Sequence, residues 1–86
     1  MAEVTIYTTM FCPFCWRAKR LLEQKGIAYT EIAVDFDAEA RREMSQRAGG
    51  RTSVPQIFIG ERHIGGSDEL AALEAAGGLD PLLATG

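Results

Sequence analysis

Met10-Phe11-Cys12-Pro13-Phe14-Cys15-Trp16-Arg17 decides how this chain is read. It holds the only two cysteines, in Cys-x-x-Cys spacing. The apolar, β-prone run Val4-Thr5-Ile6-Tyr7-Thr8 leads into it, and a segment with helical periodicity, Pro13 to about Lys25, follows. This spacing at a strand-to-helix junction that opens a β-α-β pattern reads as a redox motif. Cys12 falls at the N-cap and Pro13 at the first helical position, where its fixed φ suits the helix and its missing N–H costs nothing. Cys15 falls one turn on, so its sulfur can reach back to Cys12. The free N–H groups and the positive end of the helix dipole favour a thiolate at Cys12, the form that attacks disulfides. Cys12 is therefore the expected nucleophile. Cys15, pointing toward the body of the protein, is the expected less exposed, resolving thiol.

Other readings of the pair fit less well. A structural disulfide here would close too small a loop to constrain much chain. A zinc site needs about four ligands, and beyond the pair there is only His63. Two plain core cysteines would leave Pro13 a coincidence.

The chain has 86 residues, a length that suits one domain with one core. Hydrophobic residues at 47% and charged ones at 24% are ordinary globular values. The net charge of −3 offers no polybasic face for nucleic acid or anionic lipid. Met1-Ala2-Glu3 has no basic n-region and no apolar h-region follows, so no secretory signal is expected. No apolar run approaches membrane-spanning length. Two cysteines in one motif suit a reducing compartment, and a cytoplasmic location is expected.

Along the chain, Val4–Thr8 suits a central strand. The first helix puts Cys15, Ala18, Leu21 and Leu22 on one face, and Gly26 ends it. Ile27 to Val34 reads as a second strand, parallel to the first through a right-handed crossover. Asp37 is the expected cap of a second helix, Ala38 to Ala48, with Ala40, Met44 and Ala48 as its apolar stripe. Val54-Pro55 opens a third strand, Gln56 to Ile59, and Pro55 is tolerated at its start. Gly60-Glu61 fits a two-residue hairpin turn into Arg62-His63-Ile64. Ser67 is the expected cap of a third helix, with Leu70 and Leu73 inward, and Asp80-Pro81 caps a last helical turn. The order is β-α-β-α-β-β-α.

Four stretches together resemble the small bacterial dithiol glutaredoxins: Cys12-Pro13-Phe14-Cys15, Ser53-Val54-Pro55-Gln56-Ile57-Phe58-Ile59, Gly65-Gly66-Ser67-Asp68-Glu69-Leu70 and Gly77-Gly78-Leu79-Asp80-Pro81-Leu82-Leu83. The resemblance spans essentially the whole chain. It implies an α/β thioredoxin fold, with a mixed four-stranded sheet, helices on both faces and a cis peptide bond before Pro55 facing the cysteines. It implies glutathione as co-substrate, glutathionylated or disulfide-containing proteins as partners, a monomer, and no metal. The redox disulfide it implies joins Cys12 and Cys15. Its glutathione site maps onto Phe14, Arg41, Ser53, Val54, Pro55, Gly66, Ser67 and Asp68. In similar proteins the residue matching Val54 pairs its backbone with the cysteinyl part of glutathione, like an added strand. Those matching Gly66, Ser67 and Asp68 hold the γ-glutamyl end. Independently of the family, free N–H groups at a helix start suit a carboxylate, and the Asp68 carboxylate suits an ammonium.

The chain also departs from the family. Phe14 stands where many relatives carry Tyr, and Thr9 where many carry a Lys that contacts the glycyl carboxylate or supports the thiolate. Arg41 matches a position that can bind that carboxylate; a solvated helix face is the plainer reading. Gly49-Gly50 leaves Arg51 out of register with the family, and Arg51 receives no ligand role. Ser67 replaces an extra cysteine of several relatives. Trp16 beside the motif is either a contact for protein substrates or packing over aliphatic stems. His63 reads as a solvated or hydrogen-bonded strand histidine.

Two rival functions remain. A thioredoxin-like donor recharged by a reductase would differ in potential by about 40–70 mV. An iron–sulfur carrier would bridge a [2Fe–2S] cluster between two protomers through the first cysteine and glutathione of each; Pro13 and the second cysteine argue against it.

Overall fold

The computed structural model describes residues 2–84. The elements are β1 (Val4–Thr8), α1 (Pro13–Gln24), β2 (Thr30–Ala33), α2 (Ala38–Arg47), β3 (Gln56–Ile59), β4 (Arg62–Gly65), α3 (Ser67–Ala75) and α4 (Leu79–Ala84). The sheet order is β2-β1-β3-β4. β1 pairs parallel with β2, and antiparallel with β3, which pairs antiparallel with β4. β1 is thus internal, as its two-sided apolar character requires.

Alternation along the strands splits the interior into two cores. On one face Val4 and Ile6 of β1 and Ile57 and Ile59 of β3 meet Ala18 and Leu22 of α1, Leu70 of α3, and Leu79 and Leu83 of α4. On the other, Tyr7 and Phe58 meet Met44 of α2 and Ala48, the residue that caps its end. Helices therefore cover both faces of a mixed four-stranded sheet, which is the thioredoxin fold.

Several boundaries differ from expectation: β2 stops at Ala33, α2 at Arg47 and β4 at Gly65, each one residue from the expected end, and three further differences have a visible cause. β2 begins at Thr30 rather than Ile27, because the Ile27 N–H is spent on the carbonyl of Leu22 in closing α1. Gly26 supports that closure with a φ of 70°, the left-handed conformation that ends helices. At α3 the N-cap is Gly66 and Ser67 is the first helical residue, so Ser67 does not cap. The capping work falls to Glu69, whose Oε1 accepts the Gly66 N–H at 2.6 Å. Asp80 likewise lies in the first turn of α4 instead of capping it.

The α1 stripe sets where the helix starts, and hence where Cys12 stands. Leu22 is wholly buried on that stripe. Leu22→Ala should lower unfolding free energy by about 3 kcal/mol, read as a lower urea midpoint at unchanged slope.

Candidate active site

Cys12 has extended backbone (φ −138°, ψ 99°) and caps α1, with Pro13 at the first helical position. Its Sγ accepts the N–H of Cys15 at 3.1 Å. Such a bond strengthens as negative charge gathers on sulfur. The carbonyl oxygen of Val54 lies 3.8 Å from the same Sγ. The Val54-Pro55 peptide bond is cis, as the resemblance implies. Both cysteines are free thiols. Cys15 is 0% exposed and Cys12 8%, so the second is the deeper thiol.

Burial pushes the Cys15 thiol up to about 12, helped by its hydrogen bond with Cys12; the Thr9 backbone and the Lys19 ammonium pull partly the other way. Lys19 is held 2.9 Å from Glu31, whose Oε2 also accepts from the Thr8 hydroxyl at 2.7 Å. Burial pushes the Glu31 carboxyl up, but Thr8 and Lys19 outweigh it and leave it below its usual range.

Beside the dithiol opens a cleft of about 140 Å³ lined by Phe14, Ser53, Val54, Pro55, Gly66, Ser67 and Asp68, together with Arg51 and Glu69. Three segments far apart in sequence build it: the first turn of α1, the loop before β3, and the start of α3. Gly65 turns the chain into α3 at a φ of 116°, and a Cβ there would stand 2.6 Å from Glu69 Oε1. The Ser67 hydroxyl is buried and has no hydrogen-bond partner among the described residues. It sits beside the helix's first N–H groups, which have no intrahelical acceptors. Phe14 stands 53% exposed at the edge, with the Arg17 guanidinium 5.5 Å from its ring centre.

Seven of the eight residues of the implied glutathione site thus come together. Arg41 is the exception: it lies outside the cleft lining, where its Nη1 donates to the Thr52 carbonyl at 3.1 Å. Arg51 and Glu69 are the wall residues that sequence reasoning passed over. Arg51 Nη1 and Nη2 both lie 3.3 Å from Glu69 Oε1. The Gly66 N–H and then the Arg51 guanidinium hold the Glu69 carboxyl below its usual range, against a smaller effect of burial. Glu69 had a signal in its place three residues past the cap. Arg51 had none, since only the folded loop brings it to α3. Trp16 is exposed beside the dithiol, in an apolar groove with Phe11, Cys12 and Pro13. His63 is hydrogen-bonded to Gln56 at 2.7 Å.

A dithiol at a helix start, facing a cis-proline turn on this fold, defines a thiol–disulfide oxidoreductase. Comparison with known proteins narrows the class. The glutaredoxin family model matches residues 4–64. Glutaredoxin 3 of Escherichia coli K12 is 58% identical over 83 residues, covering 96% of this chain and 99% of the relative. The glutaredoxin of Brucella melitensis, solved in solution, is similar at a TM-score of 0.84 and 52% identity, covering 96% of this chain and 89% of that one. A buckwheat glutaredoxin–glutathione complex superposes at a TM-score of 0.86 with 30% identity, covering 98% and 78%. The chain belongs to the glutaredoxin family.

The buried thiol makes a pH prediction. A folded value near 12 lies above the ordinary 9.0, so the fold favours the protonated form. Its contribution to stability is complete below about pH 9 and fades as pH rises toward 12. In a Cys12→Ser variant, thiolate absorbance at 240 nm and alkylation by iodoacetamide should stay low through about pH 10, and rise at neutral pH only on unfolding.

Proposed function

We propose that this protein is a glutathione-dependent disulfide reductase, acting as a monomer in a reducing, cytoplasmic compartment. It would release glutathione from glutathionylated proteins and also reduce protein disulfides. The observation that carries the reading is the buried, unpartnered Ser67 hydroxyl in the wall of the cleft beside Cys12. A buried polar atom without a partner in a native site calls for a ligand or ordered water. Together with the N–H groups at the start of α3 it suits the α-carboxylate of a γ-glutamyl group. Asp68, exposed on the same wall, suits the neighbouring ammonium. Val54 borders the cleft and its carbonyl accepts from Cys12 Sγ at 3.8 Å, so a cysteinyl unit paired along its backbone would lie beside the thiol. A ligand paired there would carry its sulfur to the nucleophile. Phe14 walls the site by packing, with no hydroxyl to offer. Arg41, held on the Thr52 carbonyl next to Ser53, would have to leave that contact to meet the glycyl carboxylate. The glutathione complex of the buckwheat relative supports the same reading.

The chemistry then follows from the two thiols. Cys12 thiolate attacks the glutathione sulfur of a mixed disulfide. The Cys12–glutathione bond forms as the bond to the protein sulfur breaks, and the protein leaves as a thiol. The thiolate of a second glutathione attacks the same glutathione sulfur, giving oxidised glutathione and restoring Cys12. With a protein disulfide, Cys12 takes one protein sulfur. Cys15 then loses its proton and attacks the Cys12 sulfur; the Cys12–Cys15 bond forms as the bond to the protein sulfur breaks, the protein leaves as a dithiol, and two glutathiones reduce the intramolecular disulfide to give oxidised glutathione. Burial of Cys15 makes that second route depend on removing a proton held tightly.

The test is reduction of a small glutathione mixed disulfide with glutathione and glutathione reductase as the only recharging system. Cys12→Ser should lose activity by about a thousandfold or more, a loss typical of removing a covalent nucleophile. Cys15→Ser should keep most of it yet fail to reduce a protein disulfide. An inactive wild type would refute glutathione dependence and turn attention to a reductase-fed donor or a cluster carrier.

A further inference from the structure

Behind the cleft wall runs a hydrogen-bond chain whose direction the atoms themselves decide. Gln56 is wholly buried at the start of β3. Its Nε2 lies 2.9 Å from the Ser53 carbonyl oxygen and 3.2 Å from Ser53 Oγ. A carbonyl oxygen only accepts, so the amide NH2 must face it. Oε1 therefore faces the other way, toward His63 Nε2 at 2.7 Å. Oε1 also only accepts, so His63 Nε2 must carry the proton. The His63 ring is held for this by Phe58, stacked at 5.0 Å between centroids and 29° between planes. Phe58 is in turn covered by the Arg47 guanidinium at 4.1 Å.

The chain runs one way: His63 donates to Gln56, and Gln56 donates to Ser53. Because Ser53 Oγ accepts from Gln56, its own hydrogen is directed elsewhere. That hydrogen has no protein acceptor among the described residues, and Ser53 lines the cleft. Positive charge for an anionic acceptor comes from Arg41 beside Ser53, since Asp68 and Glu69 of the same cleft offset Arg51. Arg41 is fixed at the Thr52 carbonyl, one residue away. Arg51 stands in the same wall, partly offset by Glu69.

We propose that His63 is a positioning residue of the glutathione cleft: through Gln56 it holds Ser53 Oγ as an acceptor and turns the Ser53 O–H outward, onto the glycyl carboxylate of glutathione. The inference rests on the glutathione reading above. It gives a use to the one histidine of the chain and to a fully buried glutamine that a plain core strand would not need.

The experiment is a KM and kcat comparison on a small glutathione mixed disulfide and on its analogue with the glycyl carboxylate amidated. The enzymes are wild type, His63→Phe, His63→Gln, Ser53→Ala and the double variant His63→Phe/Ser53→Ala. Phenylalanine keeps the stack on Phe58 and removes the N–H; glutamine restores a donor. His63→Phe should raise KM about threefold to tenfold, the worth of one hydrogen bond, with kcat within about twofold. Ser53→Ala should do the same, and the double variant should be no worse than Ser53→Ala alone. His63→Gln should return KM most of the way. On the amidated analogue His63→Phe should change nothing. Gln56→Leu cuts the chain at its middle link and makes the same prediction if His63→Phe does not fold. An unchanged KM, additive effects in the double variant, or an equal effect on the amidated analogue would overturn the proposal. A wild type that does not distinguish the glutathione disulfide from cystine would instead sink the glutathione reading itself.

Discussion

The hydrogen bond from the Cys15 N–H to the Cys12 sulfur, 3.1 Å long, ties the chemistry of this protein to its fold. It exists only because α1 begins at Pro13 with Cys12 extended in front of it. The direction of α1 is set in turn by Cys15, Ala18 and Leu22, the buried side of the helix. Ala18 and Leu22 join the core on the sheet. One face of one helix thus positions Cys12, keeps its partner thiol dry, and closes the core. Loss of packing on that face would loosen the sulfur as well as the fold, because close-packed interiors transmit small displacements.

The two faces of the sheet contribute differently. The face with α1, α3 and α4 is apolar and brings two helix starts to the same end of the sheet, one carrying Cys12 and the other Ser67. A helix start is a place of unsatisfied N–H groups. Two of them side by side favour negative charge in the space they face. The face with α2 is more polar. Arg47 donates to the Tyr7 hydroxyl at 2.8 Å, and its guanidinium covers Phe58, which stacks on His63. This cluster lies under the strand that leads out of the Val54-Pro55 turn. The loop forming the cleft wall is therefore braced from below by aromatic and hydrogen-bonded groups, in a way that its own short sequence could not achieve.

Much of this was legible in the residues. The dithiol at a helix start follows from spacing and from Pro13, because helix-start geometry is local. The central position of β1 follows from its two-sided apolar pattern, and the apolar stripes of α1 and α2 from their periodicity. Ser67 misled for an equally physical reason. Serine is a preferred cap, but Glu69 can reach back to the Gly66 N–H, and that bond moves the cap one residue earlier. The short β2 misled because Ile27 and Tyr29 are apolar enough for a strand, yet they pack against the α1-side core outside it.

The sequence alone determined the dithiol at a helix start and the order of elements, since each depends on neighbours within a turn or two. Only the tertiary structure decided that Arg51 joins the wall while Arg41 stays outside its lining, and that Ser67 is left buried without a partner among the described residues. It also decided that His63 reaches Ser53 through Gln56. Those contacts link the loop before β3 to α3 and β4. They depend on how separate elements pack, and no local pattern encodes the distance between two side chains that meet only after the sheet has closed.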